Sequence, residues 1–117
     1  MTTEGIEVLA GRSNTANDKL SLHTADKRDI WFHVKNAPGS HVVLRLKGSV
    51  PSERDYEEAA EIAAFHSSVN GDNIEVDYTE IKNVHKESGA KAGMVIYKNQ
   101  TTCIVTPDEK KIKEMRQ

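Results

Sequence analysis

The sequence predicts an α+β fold: one domain over residues 1–117, with a largely antiparallel sheet of about five strands and two or three helices. Three observations carry this. Short stretches alternate apolar and polar residues at both ends of the chain, while a helical period is confined to residues 52–68 and the last dozen positions. The turn formers between these stretches are spaced for hairpins, not for long crossovers. A chain of 117 residues is long enough to bury a core without disulfide or metal help.

The elements follow in order. Residues 6–10, IEVLA, form a first strand that ends at Gly11. The polar run from Arg12 to Lys19 is rich in cap and turn formers, and Asn17 or Asp18 is positioned to cap a short helix carrying Leu20, Leu22 and Ala25. Residues 29–47, DIWFHVKNAPGSHVVLRLK, then form two strands joined by a five-residue turn, Asn36 to Ser40. With Lys35 opposite His41, one face holds Ile30, Phe32, Val34, Val42, Leu44 and Leu46. The other holds Trp31, His33, Lys35, His41, Val43, Arg45 and Lys47.

Ser52-Glu-Arg-Asp opens a helix that runs to about His66–Ser68, with Tyr56, Ala59, Ile62, Ala63 and His66 on one face. Its early acids, Glu53, Asp55, Glu57 and Glu58, complement the helix dipole. Val69 to Asn73 is a turn, and 74–81, IEVDYTEI, is a half-buried strand with Glu75, Asp77 and Thr79 outward. Residues 82–93 read as a basic loop, and Met94–Tyr97 with Thr102–Val105 as a closing hairpin. Thr106-Pro-Asp-Glu is a capping box opening a C-terminal helix. That helix docks weakly, through Ile112 and Met115 alone, and is basic through Lys110, Lys111, Lys113 and Arg116.

The net charge of −2 hides strong segregation: residues 30–50 carry three cations and no anion, and 51–80 carry one cation and nine anions. Residues 81–117 carry eight cations and four anions. A local basic patch attracts anions whatever the net charge. The single Cys103 excludes an internal disulfide and points to a reducing compartment. There is no membrane-length apolar run and no signal-peptide pattern, so a soluble, cytoplasmic protein is expected.

Exposed aromatics flanked by Lys, Arg and His suit single-stranded bases and phosphates, so the hairpin's polar face is a candidate RNA platform. In its turn, Gly39 allows backbone N–H groups to approach an anion and Ser40 adds a hydroxyl. Lys82, Lys86 and Lys91 add charge if their loop folds beside it. The opposing reading is that Trp31, the only tryptophan, is core. A metal site at His33 and His41, with His23 or Asp29, lacks a complete ligand set. Catalysis has no nucleophile elbow or P-loop behind it: Ser40 and His41 are merely adjacent, and Gly89-Ala-Lys-Ala-Gly lacks the P-loop ending.

The segments GRSNTANDKLSL, DIWFHVKNAPGSHVVLR, EVDYT and VHKESGAKAGMVIYKNQTT, in this order, resemble the NFACT-R domain, the RNA-binding module of the NFACT proteins of ribosome-associated quality control. The resemblance implies a non-catalytic domain without a cofactor, binding tRNA or ribosomal RNA, with the ribosome as a wider partner and no membrane. The family motif falls on Asn14, Asn17, Asp18, Trp31, His33, Pro38, Gly39, Ser40, His41, Tyr78, Lys86, Lys91 and Gly93. With the neighbouring cations, the expected RNA-binding set is Asn14, Asn17, Asp18, Trp31, His33, Lys35, Gly39, Ser40, His41, Arg45, Lys82, Lys86 and Lys91. Tail synthesis, which relatives perform with further domains, is not expected of this chain. Ala92 stands where relatives carry proline, leaving the loop less rigid, and Thr101-Thr102 replaces an expected Lys-Thr, removing one phosphate contact. The alternatives are an accessory subunit of an RNA-modifying enzyme and a protein-interaction adaptor, since Trp and Arg also favour protein interfaces.

Overall fold

The computed structural model describes residues 1–115; Arg116, counted above among the basic residues of the last helix, lies outside them. The elements are β1 (Glu7–Ala10), α1 (Asn14–Lys19), β2 (Ile30–Val34), β3 (Val42–Arg45), α2 (Glu53–Phe65), β4 (Ile74–Glu80), β5 (Val84–His85), β6 (Ile96–Tyr97), β7 (Thr101–Val105) and α3 (Glu109–Met115). A wide π-helical turn, Leu20–Thr24, continues α1. The fold is α+β as predicted: five antiparallel strands in the order β1-β3-β2-β4-β7, with a separate β5-β6 ribbon. Among the described residues no helix is long and apolar enough to cross a membrane.

The sheet is the middle of three layers. Alternation sends Ile30, Phe32, Val34, Val42, Leu44, Ile74 and Val76 to one side, where they pack with Ala59, Ala60, Ala63 and Ala64 of α2 and with Ile112 and Met115 of α3. The small alanine face lets α2 lie close on the sheet. On the opposite side Trp31 and Val43 pack with Leu20, Ile81 and Val84, forming a second, smaller core beneath the π-helical turn and the ribbon.

The central hairpin is therefore buried on both faces. Its register differs from the expected one: Phe32 faces Val42 and Trp31 faces Val43, with Ile30 opposite Leu44. The connection accordingly runs from Lys35 to His41. A slip of two residues preserves face parity, so the two predicted faces survive. The turn is held from outside the hairpin: Ser40 N–H donates to His66 O at 3.1 Å and Ser68 N–H to Pro38 O at 3.0 Å. Gly39 sits in that contact, where a Cβ would lie 3.0 Å from Ser67 Cβ.

Three further expectations are corrected. The first helix begins at Asn14, capped by Ser13, whose Oγ accepts from Ala16 N–H at 3.0 Å. Asn17 and Asp18 lie inside it, where their side chains do other work. Met94–Tyr97 and Thr102–Val105 do not pair with each other; β6 pairs with β5, and β7 with β4. The cap of α3 is Asp108, which accepts from the N–H groups of Lys110 and Lys111, while Thr106 Oγ1 accepts from Asn73 N–H. Ile112 and Met115 of this short helix are both buried.

The capping box of α2 forms as predicted, with Ser52 and Asp55 exchanging bonds. The acids of α2 do more than complement a dipole, however. Asp55 accepts from Thr2 Oγ1 at 2.7 Å, and Glu58, fully buried, accepts from Thr3 N–H at 2.7 Å and Thr3 Oγ1 at 2.6 Å. Lys111 lies 3.6 Å from Glu58 and 3.2 Å from Glu61, fastening α3 to the same helix. Asp77 and Thr79, expected outward, are buried beneath Tyr97 and the residues around it: Asp77 accepts from Tyr97 Oη at 2.7 Å and Thr102 Oγ1 at 2.6 Å.

Removing Glu58 strands Thr3 and takes one of two carboxylates from Lys111. Glu58→Ala is expected to lower unfolding free energy by about 2–4 kcal/mol in urea denaturation at constant m. Lys113→Ala, which breaks an exposed i,i+4 pair with Glu109, should cost less than about 0.5 kcal/mol.

Candidate nucleic-acid interface

The side chains singled out in the sequence converge only in part. Asn14, Asn17, Trp31, His33, Gly39, His41 and Gly93 line one cleft of about 470 Å³, between the Pro38-Gly39 turn and the Gly93–Val95 segment. Trp31 forms its floor and is buried, so the platform of an exposed indole is not what the fold presents. The reason is the second core: the indole lies 4.6 Å from the Tyr97 ring and packs with Leu20 and Val84. His33 stacks on it nearly parallel, with centroids 5.7 Å apart and planes at 7°. His41 meets both rings edge-on, at 5.3 and 5.5 Å.

A directed chain of hydrogen bonds holds this floor. Trp31 Nε1–H donates to Ser21 Oγ at 3.0 Å, and Ser21 Oγ lies 2.8 Å from His41 Nδ1. His41 Nε2 lies 3.2 Å from Gly93 O, a group that can only accept. His41 Nε2 therefore carries the proton, Nδ1 accepts, and the Ser21 hydroxyl donates to it. Burial, reinforced by the nearby His33, pushes the His41 imidazole down to about 4, against the opposing pull of Gly93 O and Asp18. At neutral pH it is an uncharged structural link, not a cation for phosphate.

Asn17 and Asp18 serve the same frame. Asn17 Oδ1 accepts from His41 N–H at 3.1 Å, and Asp18 Oδ1 accepts from Gly93 N–H at 2.9 Å. Partial burial works against the Asp18 carboxylate, but the Lys86 contact and the Gly93 N–H outweigh it and hold it below the usual value. Lys86 lies 3.0 Å from Asp18 and also donates to Lys91 O and Met94 O at 2.7 and 3.3 Å. Its charge is thus spent on tying the 86–94 loop to α1. Gly93 has φ +83°, and a Cβ there would stand 2.8 Å from Asn14 Oδ1, so this crossing requires glycine.

Other expected contacts lie elsewhere. Arg45 is at the far end of β3, with Nε 2.8 Å from Asp29 Oδ2 in an ion pair whose angle is too poor for an aligned hydrogen bond. Lys82 is also remote, 3.8 Å from Glu80 beside Ile30. The Ser40 N–H is already given to His66, so it is not an anion donor. Lys35 and Lys91 are exposed, Lys35 next to Asn36 on the turn and Lys91 two residues before Gly93. Residues the sequence reading passed over are Ser21, the hub of the buried chain, and Tyr97 and Met94, which wall the cleft. Nothing in local sequence distinguishes Ser21 from its neighbours. Among the described residues no group of three His, Cys, Asp or Glu side chains is placed to hold a metal ion.

A mixed sheet-and-helix domain with an aromatic-floored cleft and a lysine loop defines a small binding module. The chain belongs to the NFACT protein RNA-binding domain family, whose model matches residues 1–99. It is similar to the Rqc2 homolog RqcH of Bacillus subtilis, at 45% identity over 108 residues, covering 92% of this chain and 19% of that protein. It also resembles coiled-coil domain-containing protein 25 of Bos taurus, at 33% identity over 116 residues, covering 92% of this chain and 54% of that one. A solved structure, the C-terminal part of the fibronectin/fibrinogen-binding protein from Streptococcus suis, superposes with a TM-score of 0.93 at 41% identity, over 97% of this chain and 46% of that one. The chain thus spans about a fifth of the length of its RqcH relatives.

The buried neutral imidazole has a consequence for pH. The unfolded chain takes up a proton near the ordinary histidine value of 6.5, whereas folded His41 resists it down to about 4. Stability contributed by the neutral ring is complete above that upper value and is lost as pH falls toward the lower one, by about 3 kcal/mol. Urea denaturation across this window should show the decline, and His41→Gln should flatten it at the cost of lower stability at neutral pH.

Proposed function

We propose that residues 1–117 act as one non-catalytic RNA-binding domain that engages structured RNA of the translation machinery, tRNA or ribosomal RNA. The observation that carries this reading is the convergence of motif residues from position 14 to position 93 on one cleft, in a chain of the NFACT RNA-binding family. Two of the expected cations are exposed: Lys35, which follows β2 and lines a separate pocket with Asp72 and Glu75, and Lys91 on the loop before Gly93. The resemblance to NFACT-R domains supports a role beside the ribosome in quality control. The buried network of Trp31, Ser21 and His41 has the task of shaping the surface, while Lys35, Lys91 and the Pro38-Gly39 turn meet the ligand.

The exposed side chains of Met94 and Ile96 beside the cleft favour a second reading, a protein partner in place of RNA. A pull-down compared with and without nuclease separates the two.

Titration of fluorescent tRNA at several salt concentrations tests the RNA reading. Affinity should fall with salt, with a log–log slope near −0.7 to −0.9 per phosphate contact. Lys35→Ala with Lys91→Ala should reduce that slope by about 1–2 and weaken binding at low salt several-fold. No binding at low salt, or an unchanged slope in the double variant, refutes the proposal.

A further inference from the structure

Resting on the RNA reading above, we infer that the cleft receives a single unstacked nucleobase, while the phosphates on either side stay outside it. The charge distribution favours a neutral occupant. None of the residues lining the cleft is a lysine or arginine, and its buried imidazole, His41, is neutral with both ring nitrogens already bonded. The fixed charges tied to its wall are Asp18, bonded to Gly93 N–H, and Lys86, bonded to Met94 O, and they pair with each other at 3.0 Å. A phosphate would find no lysine or arginine among the lining residues, and behind the wall only an ion pair whose cation is already committed to a carboxylate and two carbonyls.

Shape and chemistry favour a flat ring. At about 470 Å³ the cleft falls within the range of small-molecule sites. Its floor is the parallel Trp31–His33 stack with Tyr97 tilted against it, and Val34, Pro38 and the exposed Met94 supply apolar sides. Directional polar groups in the lining are the side-chain amides of Asn14 and Asn36 and the imidazole of His33. His33 Nδ1 lies 2.7 Å from Val34 O, which can only accept, so Nδ1 donates to it, and the Nδ1–H tautomer presents Nε2 as an acceptor. Every nucleobase carries an N–H donor on its pairing edge, so this acceptor suits an unpaired base of any type more than one particular base. A base held in a duplex cannot present that edge. The cleft therefore selects unpaired nucleotides, and Lys35 and Lys91 outside it are left for the backbone.

Heteronuclear NMR provides the test, with adenosine and cytidine as probes of the base and ribose 5-phosphate as the probe of the phosphate. The indole N–H of Trp31 is the sole signal of its kind in this chain. The nucleosides should move it together with the Gly93 and Val95 amides, and ribose 5-phosphate should not. Nucleosides that leave these signals in place up to their solubility, or movement by ribose 5-phosphate alone, overturn the inference. With single-stranded oligouridylate, His33→Phe and Met94→Ala should each weaken binding by about three- to tenfold while leaving the salt slope unchanged. Met94 is 62% exposed, so its truncation tests the cleft without risk to the fold. Unchanged affinity in both variants also overturns the inference. If tRNA binds but nucleosides are silent, the base site alone falls; if no RNA binds while nucleosides do, the RNA reading falls and the site stands.

Discussion

The chain of hydrogen bonds from Trp31 through Ser21 and His41 to Gly93 ties the second layer together. It links β2 to the π-helical turn, that turn to His41 just before β3, and His41 to the segment before β6. Each partner is buried or nearly so, and an unpaired polar group at such depth would cost about 1–3 kcal/mol. The chain also has only one proton arrangement compatible with a carbonyl at its end. A protonated imidazole would oppose the direction of the Ser21 hydroxyl, which agrees with the depressed His41 proton affinity.

Several ionic groups build the fold. Asp18–Lys86, Asp29–Arg45 and the Glu58/Glu61–Lys111 group all join elements distant in sequence. Each places a partly buried cation against a carboxylate, whereas Lys35 and Lys91 stay exposed. The acidic stretch 51–80 is thus not simply a solvated helix face. Asp55, Glu58 and Asp77 are buried acceptors for hydroxyl and amide donors, a use that charge counting cannot separate from solvation.

Covering the polar face of the hairpin gives the cleft its character. An indole on an open sheet would stack against any flat ring or apolar partner. Walled by Val95, Met94 and the Pro38-Gly39 turn, the same aromatic cluster becomes the floor of a cleft of about 470 Å³. The wall depends on Lys86, which draws in the loop through two carbonyls and a carboxylate. With three such contacts to replace the rigidity of a proline, Ala92 is accommodated in that loop.

From local pattern alone the strand segments of the main sheet, the α2 capping box and the face parity of the central hairpin were legible. Each follows from local rules: alternation at period two, a side chain reaching its own N3 amide, and glycine where backbone must pass close. The resemblance drew together the residues that line the cleft, although their roles did not follow from it. Tertiary structure decided which face of β2 and β3 was covered, because Trp31, His33 and His41 are equally compatible with solvent or with a second core until α1 and β6 are placed. It also decided that β6 joins β5 and not β7. Strand partnership depends on which backbone edge is open after the sheet has formed, and no short-range pattern encodes that. For the same reason Lys86 and Arg45 could not be told from Lys91 and Lys35 by composition. Whether a cation meets a carboxylate inside the protein or a phosphate outside it is a matter of where the chain returns.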